Sequence, residues 1–203
     1  MCLAVSYSPQ TQGLQGSDPP DGAEDRIQAL VADPRLDDAI RRSIRGALTS
    51  VQTDPVLHQN LKDVGRFMLG VAALYLDATG GLTHRRLRDL SGRSGLSSAG
   101  TATALLLRMR LIGYVQPDEL LSNGAAKRYR PTDHMTAAFR NRVRIELQAC
   151  ADLDPAAAEV LARLDEPGIF ARLIGELGGA AFEAARNPHP DARAIDVFAM
   201  RSA

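Results

Sequence analysis

The stretch Leu82–Pro131 constrains the chain more than any other, because three local signals follow one another in it without a gap. Thr83 can cap the free N–H groups of a short helix. Leu87 and Leu90, three residues apart, share one face of that helix. Ser91-Gly92-Arg93-Ser94-Gly95 then reads as a turn cluster that a helix would not cross. A second helix is predicted from Ser97 or Ser98 to about Leu111, with Ala102, Leu105, Leu106 and Met109 in the i, i+3, i+4, i+7 pattern of a buried stripe. Gly113 stops it. Tyr114-Val115 and Lys127-Arg128-Tyr129-Arg130 read as two short strands around a polar, Gly-containing tip, with a third strand at Gly81-Leu82-Thr83. Helix, turn, helix, hairpin is the order of a winged helix-turn-helix, whose second helix enters the DNA major groove. The expected fold is mostly α, a winged helix-turn-helix with a small β-hairpin wing, flanked by N- and C-terminal helices.

The remaining chain divides around this unit. Residues 1–22, dense in Ser, Gln, Gly and Pro, read as a flexible tail. Residues 23–54 carry N-terminal helices for dimerisation or packing. A first helix is predicted over Ala23–Ala32, and a second opens at Asp33-Pro34, with Asp as cap and Pro at the first helical position. Leu36, Ile40, Ile44 and Leu48 lie along one side of the second. Asp54-Pro55 repeats the device and opens the longest helix, to about Ala78, whose apolar positions are so numerous that it is enclosed on most sides. It begins the winged unit, residues 55–150. That unit closes with a helix from Thr132 or Asp133 to about Ala151, bearing Phe139, Val143 and Leu147 on one side. Residues 151–203 hold C-terminal helices for dimerisation or an effector. One is capped by Asp154-Pro155 and runs to Leu164; one opens at Pro167 and can break at Gly178-Gly179; one spans Ala192–Met200.

The run from Leu96 to Val115, ending Arg-Met-Arg-Leu-Ile-Gly-Tyr-Val, is similar to the recognition helix and first wing strand of bacterial MarR-type winged-helix repressors. Lys127-Arg128-Tyr129-Arg130-Pro131-Thr132 resembles their second wing strand, and the likeness covers roughly residues 55–150. It implies a homodimeric repressor on a palindromic duplex site, interlocked by helices from both chain ends. It also implies a small-molecule effector, aromatic or lipophilic, between the dimer helices and the DNA-binding lobe.

Bulk composition excludes several other classes. No apolar run approaches the ~18 residues of a membrane span, and the N-terminus lacks the basic-then-apolar pattern of a secretory signal. Cys2 and Cys150 are too few for a disulfide framework, so a cytoplasmic address is expected. Net charge is zero, but it is unevenly spread. From Thr83 to Arg130 there are nine Lys/Arg against three Asp/Glu, and from Asp152 to Glu183 two Arg against seven Asp/Glu. A neutral chain with one basic segment places its cations where a polyanion could use them.

On the face of the second helix opposite its buried stripe lie Ser97, Ser98, Gly100, Thr101, Ala104 and Arg108. Ser97, Ser98 and Thr101, nearest the N-terminus, are the base-edge candidates. Their short side chains cannot make the bidentate Arg–guanine pair, so recognition leans on phosphate contacts and DNA shape. Phosphate candidates are Arg85, Arg86, Arg93, Lys127, Arg128 and Arg130, with Arg108 beside them. His58, His84, His134 and His189 share no metal-like spacing; His84 and His134, next to helix caps, could reach a phosphate. Cys150 reads as a small buried residue, or as a redox-sensing thiol. No catalytic constellation, phosphate loop or cofactor motif is present, and no enzymatic role is expected. The rival reading is a winged-helix protein–protein interaction module that does not bind DNA. It is favoured by the acidic, Leu-bearing tip Pro117-Asp118-Glu119-Leu120-Leu121 and by the shortage of long polar side chains on the second helix.

Overall fold

The computed structural model describes residues 23–60, 64–95, 97–119 and 127–186. It is mostly helical, with a small three-stranded antiparallel sheet. In chain order the elements are α1 (Ala23–Val31), α2 (Leu36–Thr53), α3 (Pro55–Asn60), α4 (Val64–Ala78), β1 (Leu82–Thr83), α5 (His84–Arg93) and α6 (Ala99–Leu111). Then follow β2 (Val115–Pro117), β3 (Arg128–Pro131), α7 (Asp133–Cys150), α8 (Pro155–Arg163) and α9 (Ile169–Arg186). The tail, the 187–203 segment with its predicted last helix, and the hairpin tip at 120–126 lie outside the described residues. So do 61–63, which separate the two described pieces of the predicted 55–78 helix.

The chain forms two compact units. The first joins α1 and α2 to α8 and most of α7 (described residues 23–58, with 137–170). In it α2 lies along α7. Ser43 is buried and donates from Oγ to Glu146 Oε2 at 2.7 Å. Arg42 reaches the Ala149 carbonyl at 3.2 Å. A Cβ added at Gly46 would overlap Ile145 Cγ2, so the glycine permits this close approach. The buried face of α2 is therefore small, Ala39 and Ser43. The apolar stripe of the sequence faces outward instead: Ile40, Ile44 and Leu48 are 40, 54 and 61% exposed.

The start of α2 also differs from expectation. The Asp33 carboxylate accepts the Arg35 N–H at 2.8 Å and pairs with the Arg35 guanidinium at 2.6 Å. That local turn holds Pro34 and Arg35 out of the helix, which begins at Leu36. The same guanidinium brings the Asp33 carboxyl down to about 2.

The second unit (59–136, with 171–186 of α9) holds β1, β2, β3, α4, α5 and α6. The strand order is β1-β3-β2, with Leu82 opposite Tyr129 and Gln116 opposite Arg130. Its core gathers Leu69, Ala72, Ala73 and Leu76 from α4, Leu82 from β1, and Leu87 from α5. The predicted stripe Ala102, Leu105, Leu106 and Met109 of α6 is buried throughout, as are Tyr114, Val115 and Tyr129. The extended turn predicted for Ser91–Gly95 is shorter than expected, because α5 continues to Arg93. Ser91 is fully buried, and its hydroxyl bonds Ser97 Oγ at 2.8 Å and the Ser97 carbonyl at 3.0 Å rather than competing for its own helix backbone. The break falls at Gly95, in the left-handed region at φ +65°.

Gly178-Gly179 does not break α9, which runs on to Arg186. A Cβ at Gly178 would lie 2.7 Å from Tyr75 Cδ2, so this glycine serves close helix packing, completed by Phe182 at 5.4 Å from the Tyr75 ring centre.

Candidate nucleic-acid interface

The helix pair α5–α6 is fixed by two hydroxyl caps. Thr83 Oγ1 accepts the Arg86 N–H at 3.1 Å. Ser98 Oγ accepts the Thr101 N–H at 3.1 Å, as the sequence predicted for one of its two serine candidates. Behind α6, Met109 and Leu106 anchor one face. The opposite face presents Ser98, Gly100, Thr101, Ala104 and Arg108 to solvent, with Ser97 half-buried. All three hydroxyls already have partners. Ser97 Oγ bonds Ser91, and Ser98 Oγ bonds Thr101 Oγ1 at 3.0 Å. Thr101 is the outward member, its methyl and the rest of its hydroxyl capacity facing solvent.

The predicted cations divide into two kinds. Arg85, Arg93, Arg108, Lys127 and Arg130 are exposed. Arg85, its side chain 91% exposed, lies 3.7 Å from the Asp89 carboxylate, a surface pair that contributes little. Arg86 and Arg128 are instead half-buried over the turn that ends α4. Arg86 donates to the Gly81 carbonyl at 2.7 Å and to Thr79 O at 3.4 Å. Cβ atoms at Gly80 and Gly81 would meet Arg86 Nη1 at 3.1 Å and Arg128 Nη1 at 3.0 Å. Both glycines also take positive φ, +126° and +100°. The two guanidiniums therefore converge on one turn, joining α5 and β3 at the end of α4. Their first duty is structural.

No family model, curated protein or solved structure matches this chain. What the interface can do rests on its own residues.

Arg88 and Arg110 extend the cationic surface and were not among the sequence candidates. Arg88 sits three residues after Arg85 on the exposed side of α5, a periodicity visible in the sequence. Arg110 lies over the Tyr129 ring at 5.4 Å, a placement that only the α6–β3 packing reveals. In the amide orientation that satisfies both groups, Gln116 accepts from Arg130 Nε and Nη2 at 2.9 and 3.0 Å, steadying that side chain across the hairpin. Near it, partial desolvation raises the Asp77 carboxyl above the usual Asp range; the Asp118 charge adds to the rise and Arg130 opposes it.

Two of the histidines, His84 and His134, have internal partners. His84 Nε2 lies 2.7 Å from Thr103 Oγ1, and His134 Nε2 lies 3.2 Å from Tyr114 OH, with the rings 4.9 Å apart. Cys150 is buried, as the sequence reading of a small buried residue expects. Among the described residues no group of three or more His, Cys, Asp or Glu could hold a metal ion, and no helix is long and apolar enough to cross a membrane.

Proposed function

We propose that this protein is a sequence-specific DNA-binding transcriptional regulator. In this reading the second unit is a winged helix-turn-helix, α6 enters the major groove, and the β2–β3 hairpin lies on the backbone. One observation carries it. The solvent side of α6, with Thr101 and Arg108, belongs to the same compact unit as the exposed Arg85, Arg93, Lys127 and Arg130. A helix with small residues at its exposed N-terminal end can approach base edges closely, while flanking cations bind phosphate irrespective of sequence. The likeness to MarR-type repressors extends the reading to repression by promoter occlusion and to an effector-responsive dimer.

The test is selection of bound duplexes from a random pool, repeated with Thr101→Ala. Thr101 is the outward base-edge candidate, so the substitution should change the selected sequence while random-duplex affinity stays within about twofold. Equal loss on selected and random duplexes would remove Thr101 from base readout.

A homodimer completes the proposal, since paired recognition helices about 34 Å apart match one DNA turn. Its support is the uncovered ridge Ile40, Ile44 and Leu48 on α2, with Ile27 and Val31 of α1 at 50 and 65% exposure. Ile44→Glu should convert the dimer to monomer in sedimentation equilibrium with no loss of helical circular dichroism. A dimer unaffected by that charge would place the interface elsewhere.

A further inference from the structure

The C-terminal half of α6 carries a feature that duplex binding would leave unused. Leu107 and Leu111, one turn apart, are 52 and 87% exposed. They flank a groove of about 520 Å³ between α6 and β2, with Arg110, Val115, Pro117 and Thr132 along its sides. Arg110 lines the groove, and Arg108 lies on the other side of the leucine pair, outside it; both are exposed. No acidic residue occurs in α6.

We infer that this groove docks an acidic amphipathic helix of a partner protein, with apolar side chains over Leu107 and Leu111 and carboxylates towards Arg108 and Arg110. Three features select that occupant. The first is charge: a second α6 packed here would bring Arg108 and Arg110 against their own copies, a like-charge contact that disfavours self-pairing. The second is the edge of β2. Among the described residues β2 pairs only with β3. The bonds Thr132 N–H to Tyr114 O and Asp118 N–H to Arg128 O turn the backbone of alternate residues towards β3, leaving Val115 and Pro117 on the open side. Pro117 has no N–H, so an added strand would find a broken ladder. The third is spacing: leucines four apart on a helix accept the i, i+4 anchors of a crossing helix.

This inference shares Arg108 and the outward placement of α6 with the DNA reading, and does not require that DNA be a ligand. It is tested with the full chain and a displayed library of helical peptides, with Leu fixed at i, i+4 and i+7 and all flanking positions randomised. Selected peptides should be enriched in Asp and Glu at the flanks. Leu107→Ser and Leu111→Ser should each weaken them by about tenfold or more, while random-duplex affinity and circular dichroism stay unchanged. Leu111, the more exposed of the two, serves as the variant that keeps the fold intact. Selection of neutral or basic flanks, or of no peptide sensitive to Leu111→Ser, would overturn the assignment. Loss of duplex binding in wild-type chain alongside retained peptide binding would sink the DNA reading and leave this one standing.

Discussion

Replacing Arg85, Arg93 and Arg130 together by Ala should weaken binding to any duplex by on the order of 10²–10³-fold near 0.1 M salt, because each lost phosphate contact removes about 0.9 from the salt slope. All three are exposed, two on α5 and one on β3. Their described contacts are the surface pair of Arg85 with Asp89 and the bonds of Arg130 to Gln116 across the hairpin, side-chain contacts at the surface whose loss should cost the fold little. Arg86 and Arg128 are left in place for the opposite reason: both are engaged over the Gly80–Gly81 turn, and removing them would confound binding with stability. The measurement is affinity for random-sequence duplex at several salt concentrations, with thermal melting as control. A shallower slope, by about 2.7, with an unchanged melting temperature is expected. An unchanged slope would mean these cations do not face DNA.

Leu106→Ala should destabilise the second unit by about 2–5 kcal/mol, the range for emptying a fully buried leucine site. Leu106 is 2% exposed on the α6 face that packs towards α4 and α5. The loss should be read by denaturant titration, and binding activity should fall with the folded fraction. Leu111→Ala, on the same helix at 87% exposure, should change stability by no more than about 0.5 kcal/mol. The contrast between two leucines five residues apart checks which face of α6 holds the unit together. Similar losses for both would mean that Leu111 is covered.

Much of the second unit was legible in the sequence because local chemistry and global packing agree there. The Ser98 cap, the buried stripe of α6, the Gly113 stop and the β1–β3 strand signals each point to the same arrangement, and each is present. The failures have identifiable causes. At Ser91 the turn composition was outweighed by a tertiary hydrogen bond to Ser97, which no local rule could foresee. At Gly178 a helix-breaking signal was in fact room for the Tyr75 ring. On α2, periodicity found the apolar stripe and assigned it to one side, but small residues, Ala39, Ser43 and Gly46, took the packed face. Among the candidate contacts, sequence could count the arginines. It could not tell Arg86, held by carbonyls, from Arg85 in solvent, because that difference depends on where the α4 turn sits.

The most direct test of the central proposal is the salt dependence of binding by the intact chain to a short random-sequence duplex. The account predicts a linear fall of log K with log salt, steeper than about −3, as expected when several exposed arginines and lysines release counterions from phosphate. A slope near zero, or no binding at low salt, would contradict it.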